Sequence, residues 1–208
     1  MNAIELRNCT KIIKKATILD DISLSLDSAA IYGFVGVNGS GKTMLLRAIA
    51  GMIALNAGTI KVMGETITMD TPPHSMGVVI ENATLWPNLT GFQCLEVLAV
   101  IKGILQHDDI ERALERVGLD PLDKRPYYKY SLGMKQRLAI AQAFMEKPQV
   151  ILLDEPSNAL DRQGVELLHQ ILRDEKERGS TIVMASHYQQ EVEECCDQIF
   201  TIEQGRTV

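Results

Sequence analysis

The chain is short of cysteine, of aromatic residues and of long apolar runs. Its four cysteines (Cys9, Cys94, Cys195, Cys196) in 208 residues include no CxxC pair, and two are adjacent. That suits neither a disulfide framework nor a zinc site, so all four read as reduced and structural. No apolar stretch reaches the roughly 18–20 residues of a membrane-spanning helix. The opening Met1-Asn2-Ala3-Ile4-Glu5 lacks the character of a signal peptide. The expectation is a soluble, cytosolic protein. Positive charge is also scarce. Lys and Arg number 21 against 27 Asp and Glu, a net charge of −6, whereas a protein that grips nucleic acid by its phosphates should be basic. There is no low-complexity tract, internal repeat or Ser/Gly linker. What remains, 46% hydrophobic and 23% charged, describes one globular domain with a real core.

Short β-like runs come first, Ala3–Leu6 and then Ile22–Leu26, the second alternating as a half-buried strand does. Unbroken apolar runs follow at Ile31–Val35, Val150–Leu153 and Thr181–Met184. Such strands belong in a sheet covered on both faces. Helical patterns lie between them, notably Met44–Met52 and Asp161–Arg178. The alternation predicts a mostly parallel α/β sheet with right-handed crossovers. From about Thr90 to Lys147 it breaks into helices (Leu95–Ala99, Ile110–Val117, Leu132–Met145) punctuated by Gly118, Pro121 and Pro126. This stretch reads as a helical subdomain inserted into the sheet, and the last strand signal is Gln198–Ile202 before a turn at Gly205.

Gly36-Val37-Asn38-Gly39-Ser40-Gly41-Lys42-Thr43 fits G-x-x-x-x-G-K-[ST]. The glycines let successive backbone N–H groups turn inward around a phosphate. Lys42 adds a cation for the β- and γ-phosphates, and Thr43 a hydroxyl for Mg²⁺. A helix opening at Lys42 adds a partial positive charge. Chance would give the pattern in about 1% or fewer of chains this long. Its place between an apolar strand and a helix is the one the motif requires. A nucleoside triphosphate is implied, but not yet which machine uses it.

Val150–Leu153 ends in Asp154-Glu155-Pro156. Asp154, at the carboxyl end of a buried strand, is placed to hold Mg²⁺. Pro156 stops regular pairing, leaving Glu155 at the strand tip as general base or water-orienting group. Alone, two acidic residues before a turn are just as well a strand cap. His187 follows the strand Thr181–Ala185 on what should be the same rim, where it is either a loop residue or a γ-phosphate contact. Ser131 reads as the N-cap of a helix that carries Leu138, Ala141, Phe144 and Met145 and stops at Pro148, with Gly133 allowing close backbone approach.

Taken in order, these motifs resemble the nucleotide-binding subunits of ATP-binding cassette (ABC) transporters, over almost the whole chain. The resemblance implies that Gly36–Thr43 is Walker A, that Val150–Glu155 is Walker B with its catalytic glutamate, and that Ser131–Lys135 is the signature loop. Asn158–Asp161 would be the D-loop and His187 the switch histidine. It implies a P-loop NTPase core, 1–89 and 148–208, with N-terminal antiparallel strands and a helical subdomain at 90–147. Its ligands would be ATP and Mg²⁺, with Thr43, Asp154 and Glu81 near the metal and Ser131, Gly133 and Asp161 near the nucleotide. Its partners would be a second ATPase subunit, docked head to tail so that each ATP lies between one P-loop and the other signature helix, and a separate membrane permease. The chain would then sit on the inner face of the cell membrane.

Three motifs depart from the family pattern. The usual Leu-Ser-Gly-Gly-Gln reads Tyr-Ser-Leu-Gly-Met, the Q-loop glutamine is Glu81, and Ile13 stands where an aromatic normally stacks on adenine. The first two look like the bacitracin- and lantibiotic-export branch, which favours export. Ile13 forfeits roughly 0.5–1.5 kcal/mol of ring stacking, predicting weak base discrimination. Trp86 and Phe92 fall where a permease's coupling helix docks in this family; either that or core filling explains them. A non-transport ABC ATPase acting on ribosomes or DNA is disfavoured by the single cassette and the negative charge. A P-loop kinase or GTPase is disfavoured by the signature helix and by the lack of an Asn-Lys-x-Asp motif. A degenerate regulator is disfavoured because Lys42, Asp154, Glu155 and His187 are all present.

Overall fold

The computed structural model describes residues 2–80 and 84–208. Strands β1 (Asn2–Ile13) and β2 (Ala16–Asp27) form a long antiparallel hairpin. They extend well beyond the two short runs seen in the sequence. Register shifts between Leu6 and Cys9, and again up to Ile12, break the alternation that would have revealed them. β3 (Ile31–Val35) leads through the glycine-rich loop into α1 (Lys42–Ile49). β4 (Ala57–Val62) and β5 (Glu65–Thr66) complete an antiparallel sheet in the order β2-β1-β4-β5.

β6 (Met76–Val79) is followed by the expected run of helices: α2 (Gly91–Lys102), α3 (His107–Arg116) and α4 (Leu132–Phe144). Thr90 caps α2 by accepting from Gln93 N at 3.2 Å, while Gln93 Oε1 accepts from Thr90 N at 3.0 Å. Then come β7 (Val150–Asp154), α5 (Arg162–Glu177), β8 (Thr181–Ser186), α6 (Gln189–Cys195), β9 (Gln198–Glu203) and β10 (Arg206–Thr207). The second sheet runs β10-β9-β3-β8-β7-β6 and is parallel throughout except at β10.

Alternation along the central strands divides the interior into two apolar layers. Phe34, Leu152, Val183 and Ala185 face α1 and the antiparallel sheet. Ile151, Leu153, Ile182 and Met184 face the helices α4, α5 and α6. The buried strands are therefore continuous apolar runs, because each face has its own cover. The helical segment is anchored by a buried ion cluster. Glu175 on α5 accepts from Arg116 at the end of α3 and, at 2.7 Å, from Arg178 Nε. Close packing needs Gly77 on β6, where an added Cβ would lie 1.9 Å from the Ala143 carbonyl oxygen of α4.

Candidate functional site

β8 lies between β3 and β7, so the loops leaving these three strands meet on one rim of the sheet. Open parallel sheets place their ligands at this carboxyl edge. The glycine-rich loop leaves β3, Asp154 and Glu155 end β7, and His187 follows β8. These residues, far apart in the sequence, are brought together as expected.

Gly39 and Gly41 hold φ values of 82° and 113°, the left-handed side that glycine tolerates. At Gly36 an added Cβ would lie 2.2 Å from the Ile202 carbonyl oxygen. Lys42 is buried and folds back over the loop, donating to the Gly36 carbonyl at 2.6 Å and the Val37 carbonyl at 3.2 Å. The Ser40 hydroxyl is buried with no hydrogen-bond partner among the described residues. A polar group so placed is costly unless something arrives to meet it. Thr43 Oγ1 donates to Asp154 Oδ2 at 2.7 Å. Hydroxyl and carboxylate make a hard, all-oxygen pair of the kind Mg²⁺ takes.

Glu155 has a positive φ of 49°, held by its N–H donating to the Ala185 carbonyl at 2.8 Å. That turn aims its carboxylate at His187, whose Nδ1 lies 2.8 Å from Glu155 Oε2. Tyr188 backs the imidazole, its ring centroid 3.8 Å away. Ile18, Asn38, Gly39, Gly41, Lys42, Thr43, Met44 and Glu155 line a cleft of about 300 Å³.

A second cleft, about 620 Å³, takes in Ser131, Gly133, Arg137, Ala159 and Asp161 and shares no lining residue with the first. Ser131 is the N-cap of α4, its hydroxyl accepting from Met134 N at 3.2 Å. A Cβ on Gly133 would lie 2.8 Å from the Ala159 carbonyl oxygen. Two more contacts join α4 to the segment after Glu155. Gln136 Nε2 donates to the Pro156 carbonyl at 2.8 Å, and Arg137 Nη2 to Asp161 Oδ1 at 2.9 Å. Asp161 in turn caps α5 by accepting from Gly164 N at 2.8 Å. Gly164 N first and Arg137 second hold the Asp161 carboxyl below its ordinary pKa. The sequence did not disclose Gln136, Arg137 or Tyr188 as parts of the site; Gln136 and Arg137 were legible only as polar residues near a helix start.

Ile13 ends β1 and is exposed, whereas Ile18 lines the P-loop cleft. Phe92 packs inward against His107, with ring centroids 4.6 Å apart, while Trp86 stays 42% exposed. The pair thus divides between core filling and surface. Glu81 lies outside the described residues.

The family model for ABC transporters matches residues 19–158. An uncharacterized ABC transporter ATP-binding protein of Bacillus subtilis, YybJ, is 47% identical, covering 98% of this chain and 94% of its own. The bacitracin transport ATP-binding protein BcrA of Enterococcus faecalis is 36% identical over 99% of this chain and 68% of its own. The lantibiotic transport ATP-binding protein SrtF of Streptococcus pyogenes is 34% identical over 99% and 89%. Among solved structures, cbiO1 of Clostridium perfringens, part of the ABC transporter complex cbiONQ, superposes with a TM-score of 0.83 at 26% identity, covering all of this chain and 87% of that one. No described helix is long and apolar enough to cross a membrane. With a phosphate-binding loop, an Asp–Thr pair and a Glu–His pair gathered on one sheet edge, the chain belongs to the ABC transporter family as an ATP-binding, ATP-hydrolysing subunit.

Proposed function

We propose that this subunit drives a permease that exports antimicrobial peptides or related drugs, by closing on ATP as a head-to-tail pair. The names of BcrA and SrtF support the substrate class. The Tyr-Ser-Leu-Gly-Met signature and Glu81 support the same branch.

Gly36 to Thr43 receive the triphosphate. Lys42 gives up its contacts with the Gly36 and Val37 carbonyls for phosphate oxygens, a better partner for a buried ammonium. Thr43 and Asp154 would hold Mg²⁺, whose charge would offset that of the β- and γ-phosphates, and the family resemblance adds Glu81 as a further anionic ligand. Glu155 accepts a proton from the attacking water as its oxygen bonds to the γ-phosphorus and the bond to ADP breaks. His187 steadies that carboxylate through Nδ1 and presents Nε2 toward the γ-phosphate.

One observation carries the pairing of subunits: Ser131 and Gly133 line a cleft separate from that of Lys42. Within a single chain the P-loop cleft therefore has no signature residue in its wall. A second copy supplies its Ser131 end, and Asp161 lies at that junction. Residues 90–147 form the helical subdomain on a core of 1–89 and 148–208. Exposed apolar residues support the permease contact, Trp86 of the core at 42% and Val100 and Ile101 of the helical subdomain at 75% and 76% exposure. Such docking places the subunit on the inner face of the membrane.

The test separates binding from chemistry. Lys42→Ala should lose ATP binding, whereas Glu155→Gln should bind ATP yet release phosphate about 100-fold more slowly or worse. Unchanged turnover in Glu155→Gln would overturn the assignment. Glu81 is tested by Glu81→Gln and Glu81→Ala. At least one should uncouple ATP hydrolysis from the permease, and two silent variants would remove its role.

A further inference from the structure

Two thiols and a thioether converge where α6 ends. Cys195 Sγ stands 3.8 Å from Cys196 Sγ and 3.3 Å from Met184 Sδ. Both cysteines are half-buried and free, and Met184 is buried. The cluster lies on bare backbone: a Cβ on Gly33 would meet Cys196 Sγ at 3.0 Å and Val192 Cγ1 at 1.9 Å. Gly33 and Met184 are also direct register partners on β3 and β8. Three residues further on, these strands reach Gly36 of the P-loop and His187.

The spacing of the two thiols matches ligation better than oxidation, and Met184 Sδ has only to draw back a few tenths of an ångström to join them. Sulfurs held about 2.3 Å from a tetrahedral or trigonal ion stand about 3.8–4.0 Å apart. A relaxed disulfide wants Cα atoms about 4.4 Å or more apart, and neighbours across a trans peptide are about 3.8 Å apart. The Cys195 hydrogen bond first, and burial second, push the Cys196 thiol up. Protonated thiols are slow toward peroxides and disulfides.

We propose that Cys195, Cys196 and Met184 form a binding site for a soft monovalent cation of the copper(I) class. Thiolate and thioether donors select such ions over hard ones. On binding, the two thiol protons pass to solvent and two sulfur–metal bonds form, with no change in oxidation state. The end of α6 sits on the strands that feed the P-loop and His187, so occupancy restrains both and slows ATP turnover.

Silver(I), which does not change oxidation state here, is the probe. The reduced full chain is titrated with it and followed by native mass spectrometry and by ATP hydrolysis. One ion per chain is expected, with turnover falling in step with occupancy. Cys195→Ser and Cys196→Ser should each bind about 10–100-fold more weakly, keep basal turnover, and lose its sensitivity to silver. Met184→Leu, close in volume, should weaken binding without altering basal turnover. Two ions per chain, equal affinity in either single-thiol variant, or zinc(II) held as tightly as silver(I) would overturn the site. Binding without any loss of turnover would overturn its link to the nucleotide. Binding is read in the absence of ATP, so its failure is distinguishable from failure of the ATPase assignment.

Discussion

Glu155 shows how a residue's role depends on backbone that its neighbours in sequence do not set. A positive φ at a non-glycine residue costs of order 1–3 kcal/mol. It persists because the amide is held by Ala185 on the adjoining strand. The Asp-Glu-Pro pattern located the residue and its place at the strand tip. The tie to His187 was not legible, since it exists only because β8 pairs beside β7. Ile13 is the reverse case, readable in sequence as a missing aromatic and found exposed. With Ile18 and Met44 the apolar side chains lining the P-loop cleft, contact with the base is shape-tolerant. ATP and GTP should be hydrolysed with kcat/KM values within about 10-fold, the range that loss of one stacking contact allows. A strong adenine preference in parallel steady-state assays would mean another group holds the ring.

At the scale of elements, α4 joins the two clefts. Its N-terminus carries Ser131, and its next turns touch Pro156, Ala159 and Asp161. One chain's signature helix is thus bonded to the segment that follows its own Glu155. Arg137→Ala removes the Asp161 contact while leaving the Gly164 cap. It should lower ATP turnover roughly 10-fold or more through misplacement, with ATP affinity little changed. Equal turnover in phosphate-release assays would dismiss the linkage. The Asp161 carboxyl titrates below its unfolded value, so the stability it confers is complete above the ordinary carboxylate range. It is lost as pH falls through the lowered value. The linkage should hold across neutral pH and loosen only in acid, and Asp161→Asn should flatten that part of the thermal-unfolding profile against pH. Helix positions were readable because their apolar periodicity and caps are local. β4, β5 and α6 were not: all are short, β4 is held by the distant β1, β5 is a two-residue partner of β4, and α6 rests on β3 and β8. The full length of β1 and β2 was hidden by their bulges.

For the whole molecule, the sequence indicated a parallel core with a helical insertion, and the structure has both. The head-to-tail pairing followed only from the family resemblance; the structure adds that the signature residues and the P-loop line separate clefts of a single chain. Assembly is the step proposed to unite them. In the proposed pair, hydrolysis would loosen the two subunits by removing the γ-phosphate that both walls share, and the exposed apolar residues Trp86, Val100 and Ile101 would pass the motion to the permease. The most direct measurement is the sedimentation of Glu155→Gln with and without ATP and Mg²⁺. It should shift from monomer to dimer with nucleotide, and a further Ser131→Arg change, which keeps Lys42 intact, should return it to monomer with ATP still bound. A Glu155→Gln chain that binds ATP yet stays monomeric, while the unaltered chain hydrolyses ATP at full rate as a monomer, would contradict the account.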